Sequence, residues 1–289
     1  MTRPVTVGVD GSPESAAAAA WAGREAVRRD LPLRIVHAWQ WQSYDLAPAA
    51  DREAQAGWAR RIAQEARATL AARHPGLAVT AEAIEGGPVG TLVAEAAAAE
   101  LLVLGSRGHG ALVGFLLGSV GRQVIAESAT PVVLVRSDDR ATAEAAGREI
   151  VVGRHGDPED GTAALAFAFA TAAARGTGVR VVQAWSLPPV FAYSPASLKL
   201  LDEAGGLEPY ERKALEEALR PWRERFPEVP VTEHVEMGSA GQVLLDAAAG
   251  AQLVVVGRHA SRPVGPRIGS VAHALLHHAP CPVAVVPPA

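Results

Sequence analysis

The sequence repeats itself at a period of about 150 residues, and this duplication limits the fold more than any other feature. The stretch "VTVGVDGSPES" (Val5–Ser15) returns as "IVVGRHGDPED" (Ile150–Asp160), "LRIVHAW" (Leu33–Trp39) as "VRVVQAW" (Val179–Trp185), and "TPVVLVR" as "CPVAVVP". A repeat of this length is a duplicated domain, since solenoid units run to only ~20–45 residues. Within each copy, short Val-, Ile- and Leu-rich runs alternate with Ala-rich stretches of helical length, the pattern of a parallel sheet covered on both faces. The pattern predicts an α/β chain of two tandem five-stranded, doubly wound parallel-sheet domains, over 1–137 and 148–289. In the first copy, strands are expected near 4–10, 33–39, 77–84, 101–105 and 131–136, with helices near 13–29, 53–73, 89–99 and 116–128. The polar segment Ser137–Gly147 has no apolar periodicity and is the expected linker.

Composition narrows the partners. With 289 residues, 49% of them hydrophobic, each copy has the apolar material for a core of its own. A formal net charge of -4 with both signs interspersed gives no electrostatic draw toward nucleic acid or membrane surfaces, so small molecules or proteins are the expected partners. The single cysteine, Cys281, excludes an internal disulfide framework and a multi-cysteine zinc site, and fits a reducing compartment as a buried, inert thiol. No basic-then-apolar leader opens the chain and no apolar run nears the ~20 residues of a membrane helix, so a cytoplasmic protein is expected.

Directly after the apolar run "LLVLG", the stretch Gly105–Gly121 places six glycines in seventeen residues. Ligands of open parallel sheets settle beyond the carboxyl ends of the strands, where strand order reverses, and this stretch starts at a strand end. Glycine lets backbone approach a ligand and adopt positive φ, and successive N–H groups then form a concave site for anions. The following Gly118-Ser119-Val120 opens an expected helix whose first N–H groups and dipole favour phosphate, with the Ser119 hydroxyl as a further donor. Together they form a phosphate cradle in two pieces separated by a loop, as in nucleotide-binding folds.

The spacing Gly105-x2-Gly108-x9-Gly118-Ser119, the turn Val9-Asp10-Gly11-Ser12 after the first strand and the tandem duplication resemble the universal stress proteins of the ATP-binding kind. The nucleotide motif of that family is G-x2-G-x9-G-S/T, and the likeness covers nearly the whole chain. It implies a module that binds ATP, with or without Mg²⁺, in stress response or signalling. Carried over residue by residue, it places Asp10 near the nucleoside, the backbone at Ala38 on adenine, and Gly105, Gly108, Gly118 and Ser119 on the phosphates, with Val9, Gly11, Ser12 and Val120 completing the two turns. Asp10 either serves the nucleoside or caps the helix that begins at Pro13, for which Ser12 is better placed. Arg107 either adds charge to the phosphates or is a solvated loop residue. For assembly, the exposed edges of the two fifth strands need cover, and the resemblance implies that they pair as an intramolecular pseudo-dimer, with a homodimer beyond it.

The second copy departs from the motif. Arg154 and His155 stand where the first has Val9 and Asp10, and the glycine run reads Gly257-Arg258-His259-Ala260, with one residue fewer before Gly269. Gly269 and Ser270 survive, and Arg258, Arg262 and Arg267 keep the region cationic, so a weaker second site is expected at Gly257, Arg258, Gly269 and Ser270. Among enzyme classes, a P-loop is excluded because the only lysines are Lys199 and Lys213, and the first-strand turn lacks the dinucleotide fingerprint. GxSxG, HExxH and paired-cysteine motifs do not occur. The alternative to a binding module is a slow ATPase or autophosphorylating enzyme using the same cradle, with His109 as its one neutral-pH base. His273 and His277 share a helical face but lack a third metal ligand, so no metal site is expected there.

Overall fold

The computed structural model describes residues 2–41, 50–106, 118–136, 148–154, 158–187, 206–258 and 268–288. The first copy forms β1 (Val5–Gly8), α1 (Pro13–Arg28), β2 (Leu33–Trp39), α2 (Ala50–Arg73), β3 (Val79–Glu85), α3 (Pro88–Ala97), β4 (Leu101–Gly105), α4 (Ser119–Glu127) and β5 (Val132–Val135). The second forms β6 (Ile150–Gly153), α5 (Pro158–Arg175), β7 (Val179–Trp185), α6 (Glu208–Arg225), β8 (Val231–Met237), α7 (Ala240–Ala248), β9 (Leu253–Gly257), α8 (Ser270–His278) and β10 (Val283–Val286). The α/β class and the five strands per copy are those expected from the alternating pattern.

The chain divides into two compact units, Met1–Thr142 with Pro282–Pro287 and Ala143–Cys281 with Pro288–Ala289. The sheet of the first unit runs β3-β2-β1-β4-β5-β10, parallel except for β10, which joins β5 antiparallel with Val283 opposite Leu134. That of the second runs β8-β7-β6-β9, all parallel. In each unit the chain steps outward over two strands and then returns to the far side of the first. Strand order therefore reverses between β1 and β4, and between β6 and β9, and a crevice opens beyond the carboxyl ends of those strands.

Burial follows position in the sheet. β1 and β5 are buried along their whole length, β5 as a continuous apolar run and β1 with one threonine, Thr6, whereas β3, at the edge, alternates between half-buried and exposed. α1 and α2 pack against each other, and α3 packs against α4. α1 turns Ala18, Ala19, Ala22 and Ala26 inward around the fully buried Trp21. Glu25 is buried beside them, its carboxylate held by Arg29 at 2.7 Å and Arg28 at 3.7 Å. Arg34 of β2 reaches α3 through two bonds to Glu95, 2.5 and 3.0 Å, and bonds Glu82 of β3 at 2.9 Å. The Glu95 carboxylate raises the guanidinium above its ordinary pKa despite burial, so this fork stays charged.

Several boundaries differ from expectation by two or three residues, among them the start of α2 at Ala50 rather than 53 and of β3 at Val79 rather than 77, and two have a local reason. β1 stops at Gly8 rather than residue 10, because Val9 is the last residue bonded to β2 and Asp10 begins a turn. α4 starts at Ser119 rather than near 116, with Gly118 as its N-cap. Gly105 ends β4 for a packing reason: a Cβ there would lie 2.8 and 2.9 Å from backbone atoms of Glu14 and Ser15. Its absence lets the first turn of α1 rest directly on the end of β4. Gly90, inside α3, faces open space. We expect Gly105→Ala to destabilise the protein by about 1–3 kcal/mol through a clash that α1 must move to relieve. Gly90→Ala should stabilise it by about 0.5–1 kcal/mol by restricting the unfolded chain. Urea denaturation checks both, and midpoints that shift the same way would contradict the packing account.

Candidate functional site

The end of β1 is tied to β2 on both sides of one residue. The Val9 N–H donates to Val36 O at 2.9 Å, and Val9 O lies 2.7 Å from Nδ1 of the buried His37. A carbonyl only accepts, so Nδ1 carries the hydrogen. The chain then turns through Gly11, whose φ of 83° lies in the left-handed region that favours glycine. Asp10 Oδ1 accepts from the Ser12 N–H at 3.0 Å and the Ser12 hydroxyl at 2.6 Å. Ser12 Oγ accepts in turn from the Ser15 N–H at 3.1 Å, which makes Ser12 the N-cap of α1, with Pro13 behind it. Of the two residues weighed for that cap, Ser12 holds it. Asp10 braces Ser12 through one carboxylate oxygen while standing half-buried at the crevice.

Neighbouring strands bring the other pieces alongside. The pairing of Val7 with Val103 puts Val9 level with Gly105, one inter-strand spacing of about 4.8 Å away. On β2, Val36 turns its carbonyl toward β1, and Ala38, two residues on, faces its N–H and C=O the same way, beyond the last paired residue of β1. Past β4, the buried Ser106 donates its N–H to Val135 O at 2.8 Å and accepts the Gly118 N–H at 3.1 Å. The N-terminus of α4 is thereby held at the end of β4. Gly118 supplies no side-chain cap, so the first-turn N–H groups of α4 face the crevice with the positive end of the helix dipole, beside the exposed Ser119 and half-buried Val120. Gly118 has φ of -59°, and Gly105 is likewise outside the positive-φ set, so neither uses the conformational freedom expected of it. Arg107, Gly108 and His109 lie outside the described residues.

A cavity of about 190 Å³ opens from this turn between α1 and α2. Val9, Gly11, Ser12 and Ser15 form its upper end, Ala16, Ala19, Ile62 and Ala66 its apolar walls, and Glu65 and Arg73 its polar rim.

The second unit builds the corresponding place differently. The Arg154 N–H still donates to Val182 O at 2.9 Å, repeating the Val9 bond. The side chain, however, turns to Gln183, which stands where the first unit has His37: Arg154 Nη1 donates to Gln183 Oε1 at 2.5 Å, and Gln183 Nε2 donates to Glu211 of α6. Burial pushes the Arg154 guanidinium below its ordinary pKa, against the opposing pull of Glu211. Gly257 and Arg258 end β9 half-buried, and Gly269 caps α8 without a side-chain bond, leaving Ser270 exposed. His155, His259, Arg262 and Arg267 lie outside the described residues.

Sequence reasoning missed His37, Gln183 and Glu211. The first two had a signal: each is the one uncharged polar residue at the same place in an otherwise apolar strand centre. Glu211 had none, because its contact comes from a helix remote in sequence. Cys281 is buried, as expected. Among the described residues no group of three or more metal-ligating side chains stands together, and no helix is long and apolar enough to cross a membrane. Ser12→Ala removes the cap of α1 and the brace of Asp10 together, so we expect a loss of about 1–2 kcal/mol in urea denaturation; an unchanged midpoint would refute the cap.

The universal stress protein family model matches residues 1–136 and 147–287. A universal stress protein of Mycobacterium tuberculosis is 36% identical over 299 aligned residues, covering 99% of each chain. One of Mycolicibacterium smegmatis is 33% identical over 296, covering 98% of this chain and 97% of that one. Among solved structures, a universal stress protein from Archaeoglobus fulgidus superposes with a TM-score of 0.70 at 17% identity, covering 98% of each chain, a likeness of fold.

Proposed function

Because the chain belongs to the universal stress protein family, we propose that its first copy binds ATP and that the protein acts as a nucleotide-dependent stress-response or signalling module in the cytoplasm. The observation that carries this reading is the bond from the Gly118 N–H to Ser106 O, which brings an uncapped helix N-terminus to the end of β4, one strand away from the Asp10 turn. A phosphate chain gains from the α4 dipole and the first-turn N–H groups at Ser119 and Val120, with Gly118 allowing close approach, while Val9, Asp10, Gly11, Ser12 and the edge groups of Ala38 surround the nucleoside end. Gly105, Arg107 and Gly108 belong to the phosphate end in this reading. Mg²⁺, where it accompanies the nucleotide, is carried by the phosphate oxygens. The second copy, with Arg154 and Gln183 engaged with α6, binds weakly through Gly257, Arg258, Gly269 and Ser270 or serves as a structural partner.

The same reading extends to assembly: the two copies act as an intrachain pair through their fifth strands, supported by the β5–β10 register, and two chains form a homodimer. Light scattering on the eluting protein tests the homodimer, and a mass of one chain would exclude it.

Calorimetric titration tests the nucleotide reading. We expect close to one ATP per chain. Gly118→Val, with a branched side chain where the phosphates must approach, should weaken binding by about tenfold or more, 1.4 kcal/mol. Unchanged affinity in that variant, or two equivalent ATP sites per chain, would overturn the assignment of the first copy.

A further inference from the structure

We propose that His37 is the positioning residue of the first-copy site: its Nδ1–H holds the Val9 carbonyl, and through it the peptide that carries Asp10, without touching the ligand. This rests on the nucleotide reading for its consequence, though not for its geometry. Val9 is the last residue tied to β2 before the chain turns, by its N–H to Val36 and its carbonyl to His37. Everything the turn presents follows from that fixed peptide: Asp10 Oδ1 on Ser12, Ser12 Oγ on Ser15, and the Asp10 N–H on Ser15 Oγ at 3.3 Å. If Val9 O is released, the plane of the Val9–Asp10 peptide can rotate, and the carboxylate rotates with it.

The cost of this arrangement points the same way. His37 is 4% exposed, and among the described residues its buried Nε2 has no hydrogen-bond partner. The ring edge meets Trp58 of α2 in a T-shaped contact, centroids 5.9 Å apart at 81°. A leucine would fill such a place without an orphaned nitrogen, which costs about 1–3 kcal/mol when buried. Among the described residues the polar contact that offsets that cost is the Nδ1–H bond, and it holds the Val9 carbonyl.

The second unit supplies the natural comparison. Gln183 occupies the matching place on β7, but its amide is taken up by Arg154 Nη1 and Glu211, and the backbone carbonyl of Arg154 does not receive it. The strut is absent where the acidic residue is also absent, His155 having replaced Asp10. The two losses belong together if the strut exists to aim the carboxylate.

The test uses the full chain and two substitutions chosen for which nitrogen they keep. His37→Asn retains a donor at the place of Nδ1 and discards the orphaned Nε2; His37→Leu discards both. Hydrogen exchange in the absence of ligand reads the turn itself, and ATP titration reads the consequence. We expect His37→Leu to speed exchange at the Ser12 and Ser15 amides and to weaken ATP binding by about tenfold, with His37→Asn within about twofold of the parent in both. Should the leucine variant not fold, His37→Gln replaces it, since β7 already accommodates glutamine there. Unchanged exchange and affinity in the leucine variant would overturn the proposal. So would equal loss of affinity in both variants with exchange at Ser12 and Ser15 undisturbed, because the ring would then be contacting the nucleotide. If the parent protein binds no ATP while exchange still separates the two variants, the nucleotide reading fails and the strut stands.

Discussion

The contact on which the rest of the first unit depends is backbone against backbone: the end of β4 at Gly105 against the first turn of α1 at Glu14 and Ser15. No side chain intervenes, so the separation is set by van der Waals radii rather than by rotamers. That contact decides where α1 begins relative to β4, and hence where the Asp10 turn, which leads into α1, stands relative to the residues that follow Gly105. With β1 and β4 adjacent at the point of strand reversal, the Asp10 turn and the N-terminus of α4 are both referenced to this one touching point.

Much of this was legible in the sequence. The strand β2 over Leu33–Trp39 and β4 over Leu101–Gly105 have the expected ends, because a parallel strand buried on both faces leaves an apolar run with sharp limits. Ser12 as the cap of α1 follows from its place just before Pro13. The meaning of the glycines was less legible. Their spacing fell at the end of β4 and the start of α4, but Gly105 proves to be small because another piece of backbone lies against it, and Gly118 has an ordinary φ. Glu25 shows the same limit from the other side: a glutamate in an Ala-rich helix reads as solvated, yet it is fully buried because Arg29 and Arg28 fold back over it. Local pattern identifies which residues face inward far better than it identifies what they meet there.

The two copies show how a duplicated scaffold can keep its fold while its crevice diverges. Backbone at the ends of β1 and β6 is tied to the neighbouring strand by the same bond, Val9 to Val36 and Arg154 to Val182. What changed is the side chains one step further on. In the first copy a valine and a histidine stand there, and Val9, Gly11 and Ser12 of the turn line a cavity; an arginine and a glutamine in the second join Glu211 of α6 in a polar chain across the same level. A half-buried guanidinium is stabilised by such compensation, so Arg154, Gln183 and Glu211 form one coupled group.

The antiparallel seat of β10 beside β5 bears on the order of events during synthesis. β5 ends at Val135, whereas its partner Val283–Val286 follows only after most of the second unit has been made. While the intervening residues are still being made, the outer edge of β5 carries a row of unsatisfied backbone groups on an entirely apolar strand, the kind of edge that recruits other strands. The sheet of the first unit therefore stays open at β5 while the residues between Val135 and Val283 are made, and it closes only once β10 is available.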